Sequence, residues 1–168
     1  MEAYGINGDI LEWVREYLQG RTQIVVVNGE KSQEANVISG IPQGTVLEPL
    51  LFVIYINDLL DNISSSAFLY ADDTKIFRKI ASKEDAMSLQ EDIKKLEQWS
   101  EKWLLKFHPD KCHVLSLGKI ENTQYTHRYC ICQQEMEHVF EEKDLGVISV
   151  LLPINEHIRS KISYATSN

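Results

Sequence analysis

The sequence predicts a mixed α+β domain whose sheet is mainly antiparallel and packed against helices. Three observations lead there. Strand-like runs close on tight turns, as at Asn28-Gly29 and at Asp72-Asp73. Helical periodicity is confined to a few segments, the longest spanning residues 82–103. Regular strand–helix–strand alternation, the mark of a parallel sheet, is missing.

Each element has a local cause. Asp9 can cap a first helix with Ile10, Trp13, Val14, Tyr17 and Leu18 on one face and Gly20 just past its end. The β-branched run 23–27 enters the Asn28-Gly29 turn, and a weaker strand leads to Val37-Ile38. Two glycines and a proline in Ser39-Gly40-Ile41-Pro42-Gln43-Gly44 keep that loop from beginning inside a helix. A mostly apolar helix follows to about Asp58, with Leu47, Leu50, Leu51 and Ile54 turned toward a core and Pro49 suited only to its first turn. Ser82 and Asp85 resemble a capping pair. Ala86, Leu89, Ile93, Leu96, Ser100 and Trp103 then step by three and four into one buried stripe, and Trp99 and Trp103 read as core. Pro109-Asp110 turns the chain into an alternating strand, 112–117, closed by Gly118. A polar hairpin-like stretch to about Glu142, a strand at 145–150 and a short helix at 154–165 complete the order.

Composition bounds the function. The chain has 168 residues and ordinary apolar and charged fractions, enough for one domain with a core. Its start has no basic region followed by an apolar one, which argues against a secretory signal. The apolar run 50–56 is too short to span a bilayer. Three cysteines, Cys112, Cys130 and Cys132, suit a reducing compartment. Cys130-Ile131-Cys132, even with His127 and His138 nearby, lacks the spacing and the second pair of a structural zinc site. A net charge of −8 argues against a free-standing nucleic-acid binder, since phosphate contacts need Lys and Arg. The local cluster Lys75, Arg78 and Lys79 is equally a solvated strand face.

The stretch Phe68-Leu69-Tyr70-Ala71-Asp72-Asp73 carries the strongest chemical signal. Two adjacent carboxylates at a strand–turn–strand tip can hold a divalent metal, because Mg²⁺ takes hard oxygen ligands from one or two carboxylates plus substrate phosphates. Asp also suits a turn for conformational reasons alone, and the residues themselves leave both readings open.

Several segments coincide in order with one family. Tyr4-Gly5-Ile6, Trp13, Tyr17-Leu18, Arg21-Thr22-Gln23, the Ser39 to Leu47 run with its Pro-Gln-Gly box, Pro49-Leu50-Leu51-Phe52, Tyr55-Ile56-Asn57-Asp58-Leu59 and Tyr70-Ala71-Asp72-Asp73 resemble reverse transcriptases of non-LTR retrotransposons, most of all LINE elements of the jockey and CR1 type. Trp103, Lys106-Phe107, Pro109-Asp110-Lys111-Cys112, Lys143-Asp144-Leu145-Gly146-Val147 and His157-Ile158 resemble the segments that follow. The resemblance implies a polymerase palm, with residues 1–118 as a partial palm, 119–168 as its end and the start of the thumb connection, and the fingers absent. It implies two-metal nucleotidyl transfer that copies RNA into DNA, with Mg²⁺ or Mn²⁺ and with RNA template, DNA primer and deoxynucleoside triphosphate as partners. By that resemblance Asp72 is expected to be the main metal ligand, Asp73 to support the second metal or order the first, and Tyr70 to pack beside the primer end, where an ordinary sheet role is equally open. Gly40, Pro42, Gln43 and Gly44 shape the floor beneath nucleotide and template. Lys111 neutralises or protonates the pyrophosphate, or is a solvated turn lysine. The Gln43 loop and the acid pair are expected to share one cleft.

The family also needs a third carboxylate, on a strand upstream of Tyr4-Gly5-Ile6, which this sequence does not contain. Asp9 and Asp58 are poor substitutes; Asp58 lies about 20 Å along the helix that follows the Pro-Gln-Gly loop. Glu48 stands where the family has Gly, so its side chain is expected to crowd the loop, and Val150 stands where the family has an acid. The expectation is a fragment inactive by itself. The alternatives are a non-catalytic protein- or RNA-binding module, or a translated relic with an open sheet edge. Nucleus or cytoplasm is the expected compartment.

Overall fold

The computed structural model describes residues 1–117, 127–144, 147–150 and 158–163. It is α+β and divides into two compact units, Met1–Asn57 and Asp58–Asn168.

The first unit begins with a single 3-10 turn, Glu2–Tyr4, and helix α1, Gly8–Leu18. Asn7 takes the N-cap position, so Asp9 lies inside the first turn, where its negative charge complements the positive end of the helix dipole, and does not cap. Trp13 and Tyr17 stack at 5.5 Å, but Ile10 and Trp13 are exposed and Val14 is the buried residue of the expected apolar face. Strands β1 (Thr22–Gln23), β2 (Val26–Val27), β3 (Glu30–Lys31) and β4 (Ala35–Asn36) form two nested antiparallel ladders, β2 with β3 and β1 with β4. Asn28 and Gly29 both have positive φ (52° and 87°), the pairing a tight hairpin turn demands. Helix α2, Glu48–Ile56, carries Pro49 in its first turn, as its missing N–H requires. Leu51 and Ile56 are buried, whereas Leu50, expected in the core, is exposed. Nine residues hold too few turns for every apolar side chain to find cover, and α2 is apolar on nearly all sides.

The second unit contains β5 (Ser66–Tyr70), β6 (Asp73–Arg78), helix α3 (Lys83–Trp103), β7 (His113–Ser116), β8 (Cys130–Ile131), β9 (Gln134–Glu135), β10 (Glu137–Val139), β11 (Glu141–Asp144), β12 (Val147–Val150) and β13 (Ile158–Ser163). Five of these strands form one sheet in the order β10-β7-β13-β6-β5. The β10–β7 ladder is parallel and the other ladders are antiparallel. Residues 158–163, expected as helix, are the strand between β6 and β7. Two ladders of backbone hydrogen bonds outweigh a weak local helical preference. The rest of that predicted helix, with Gly118 and Leu145, lies outside the described residues. Strand β6 is flanked on both sides, by β5 and β13, so the edges of this sheet are β5 and β10.

Helix α3 starts as its sequence says. The Ser82 hydroxyl accepts the Asp85 N–H at 3.2 Å, and the Asp85 carboxylate accepts the Ser82 N–H at 3.0 Å. Ala86, Leu89, Ile93 and Leu96 are fully buried and pack with Ile76, Val114 and Ile131. Trp99 packs against this cluster, but Trp103 is 37% exposed, because the helix ends there with Leu104 in the left-handed region (φ 56°). The β8–β9 hairpin turns at Cys132-Gln133 and is clamped to α3. The Gln90 side chain donates to the Cys130 carbonyl and accepts its N–H, both at 2.8 Å, and Glu97 accepts the Cys132 N–H. All three cysteines are free thiols.

Candidate active site

The acid pair sits at the tip of the β5–β6 hairpin. Along β5, Phe68 and Tyr70 are exposed while Ala67 and Leu69 pack on the core. Along β6, Thr74 and Ile76 are fully buried, which turns Asp73, Lys75 and Phe77 to the opposite face. The register pairs Tyr70 with Asp73 and leaves Ala71-Asp72 as a two-residue turn. Ala71 has φ 48°, a conformation that costs a non-glycine residue about 1 kcal/mol. Tyr70 and Asp73 therefore face each other on one side of the hairpin, beside a stacked Phe68–Phe77 pair 5.4 Å apart.

Both carboxylates are half-buried at a chain reversal, a donor pair that fits a hard divalent cation. Among the described residues no group of three or more His, Cys, Asp or Glu side chains could hold a metal. Asp58 does not join the two carboxylates in such a group, and its carboxylate accepts the Trp99 indole N–H at 2.7 Å.

Lys111 lies at the end of a 3-10 turn, Pro109–Lys111, and is exposed. The sheet register relates it to the acid pair. Ser163 of β13 stands opposite Asp73, and Lys161 opposite both Lys75 and His113. Strands β6 and β7 therefore run in the same direction, and the turn before β7 lies at the same end of the sheet as the Asp72-Asp73 tip, two strand spacings or about 10 Å across.

Gly40, Pro42, Gln43 and Gly44 belong to the first unit. Gly40 and Gly44 have φ 80° and 73°, and an added Cβ would meet nothing within 4 Å, so backbone conformation rather than space calls for glycine. Arg21 holds the Gly40 carbonyl at 2.6 Å, and the Thr45 hydroxyl donates to the Pro42 carbonyl at 3.3 Å. Gln43 is exposed. Glu48, expected to crowd this loop, instead accepts the Gly44 N–H with its carboxylate and ties the loop to the first turn of α2.

Sequence reasoning missed Asp92. It is fully buried in the apolar stripe of α3, and its carboxylate accepts hydrogen bonds from Ser64, Ser65 and Lys95. The available signal was its spacing: position 92 falls three residues after Leu89 and four before Leu96. Burial alone would raise the Asp92 pKa; the bonds from Ser65, Lys95 and Ser64 overcome it and hold the value at about 2.

Residues 1–146 match the family described as reverse transcriptase (RNA-dependent DNA polymerase). The chain is 34% identical over 108 residues to the RNA-directed DNA polymerase from mobile element jockey of Drosophila melanogaster, which covers 59% of this chain and 12% of that protein. Against the protein of the same description from Drosophila funebris it is 26% identical over 171 residues, 92% of this chain and 18% of the relative. It is 32% identical over 107 residues to the probable RNA-directed DNA polymerase from transposon BS of Drosophila melanogaster, covering 58% of this chain and 12% of the relative. The chain thus spans between 12% and 18% of the length of these relatives. No solved structure matches it. With the family match running through both boxes and most of the sequence, the chain belongs to the reverse transcriptase family.

Proposed function

We propose that this chain is the part of an RNA-directed DNA polymerase palm that carries the acid box, and that it does not extend primers by itself. The observation that carries the reading is the adjacent carboxylate pair at a two-residue hairpin tip, with Tyr70 directly across from Asp73. When bound, divalent ions supply the positive charge that stabilises the attacking and leaving oxygens of nucleotidyl transfer. Asp72 contributes the main carboxylate and Asp73 the second. Tyr70, exposed on the same face as Asp73, packs beside the primer end. Lys111 donates a proton to the pyrophosphate leaving group or neutralises it. Gly40, Pro42, Gln43 and Gly44 form the floor beneath the incoming nucleotide and the template, a loop whose positive-φ positions need glycine.

Primer extension on poly(rA)–oligo(dT) with Mg²⁺ or Mn²⁺ tests this reading. The chain alone is expected to give no product. Joined to an upstream segment carrying the third acid, it is expected to extend the primer, and Asp72→Asn is expected to abolish that extension. Extension by the joined protein that survives Asp72→Asn would overturn the assignment.

A further inference from the structure

One buried charge has no place in the chemistry above. The Asp92 Oδ2 atom accepts the Ser64 hydroxyl at 2.9 Å and the Ser65 N–H and hydroxyl at 2.8 and 2.7 Å. Its Oδ1 atom accepts the Ser64 N–H at 3.1 Å and the Lys95 ammonium at 3.0 Å. Arg78 donates to both serine hydroxyls, at 3.0 and 3.1 Å, and stands 3.6 Å from the carboxylate. These partners are the two ends of one hairpin. Ser64-Ser65 lead into β5, Arg78 ends β6, and the far tip carries Asp72-Asp73.

Packing does not account for this residue. A leucine at position 92 would complete the stripe of Leu89, Ile93 and Leu96, whereas a buried carboxylate is costly unless fully paired. The apolar contacts of Ala67, Leu69 and Ile76 hold the hairpin against α3, but apolar attraction is non-directional and leaves its tilt free. Five hydrogen bonds to one carboxylate fix direction. The arm from Arg78 to Asp73 is about 17 Å long at about 3.3 Å per residue. A tilt of about 10° at the base would move the tip by about 3 Å, against a tolerance of about 0.2 Å in metal–ligand distance. Pairing with β13 restrains β6, but β5, which leads into the acid turn, is an edge strand whose entry is held by these bonds.

We propose that Asp92 is a positioning residue for the acid pair, setting the hairpin from its base so that Asp72 and Asp73 meet a divalent cation at one place. This rests on the reading of that pair as cation ligands.

The test is Mn²⁺ titration of the 168-residue chain, followed by electron paramagnetic resonance, with amide hydrogen exchange on the same samples. Asp92→Asn is expected to weaken Mn²⁺ binding about tenfold, the scale on which groups that orient a metal ligand act. It is also expected to speed exchange at Tyr70 and Asp73 relative to Val114. Ser65→Ala, which removes one of the five bonds, is expected to show a smaller change in the same direction, and it decides the matter if Asp92→Asn does not fold. Asp85→Ala, which breaks the cap of the same helix, is expected to lower stability and leave Mn²⁺ affinity unchanged. Unchanged Mn²⁺ affinity in folded Asp92→Asn or in Ser65→Ala, or an equal loss in Asp85→Ala, would overturn the proposal. If the wild-type chain binds no Mn²⁺, the cation reading fails, and Asp92 is then judged by exchange alone: unchanged rates at Tyr70 and Asp73 would overturn its anchoring role.

Discussion

The indole of Trp99 donates to the carboxylate of Asp58 at 2.7 Å, joining the last turns of α3 to the start of the segment that leads into β5. This bond gives Asp58 a structural partner. Trp99→Phe keeps most of the ring packing and leaves the carboxylate without its donor. The expected loss is about 1 to 2 kcal/mol, read from urea unfolding, with no change in Mn²⁺ affinity.

Asp92 gives the chain an acid-sensitive lock. Its pKa in the folded protein is about 2, below the ordinary value of 3.8. The stabilisation is therefore fully present above the ordinary carboxylate range and is lost as pH falls through about 2. A shift of that size corresponds to about 2 kcal/mol. Asp92→Asn is expected to flatten the decline in unfolding free energy between pH 4 and pH 2, measured by urea titration at each pH, with about that much lost at neutral pH.

Tyr129 is fully buried, and its hydroxyl makes no hydrogen bond among the described residues. Burial pushes its pKa up to about 12. An unsatisfied buried hydroxyl costs about 1 kcal/mol or more. Tyr129→Phe is accordingly expected to leave stability unchanged or raise it by about 1 kcal/mol, checked by thermal unfolding. A clear loss would point to a partner for the hydroxyl.

What the sequence made legible was local. The Asn28-Gly29 turn, the Ser82–Asp85 capping box, Pro49 in a first turn and the carboxylates at a hairpin tip each follow from residues within a few positions of one another. What it hid depends on distant partners. Residues 158–163 are a strand because β6 and β7 lie on either side of them. Trp103 is exposed because α3 ends beneath it. Asp92 is a buried ion because Ser64, Ser65 and Arg78 arrive from about thirty residues or fewer upstream, a meeting that the α3 pattern alone does not reveal. Glu48 read as an intruder because its hydrogen bond to Gly44 needs the loop's three-dimensional course.

The central claim is that the acids at 72 and 73 hold a divalent cation at the tip of the β5–β6 hairpin. Paramagnetic broadening of backbone amide signals by substoichiometric Mn²⁺ measures it most directly. The account predicts selective broadening at residues 70–74, and its loss in Asp72→Asn. Sharp signals at 70–74, or broadening that persists in Asp72→Asn, would contradict it.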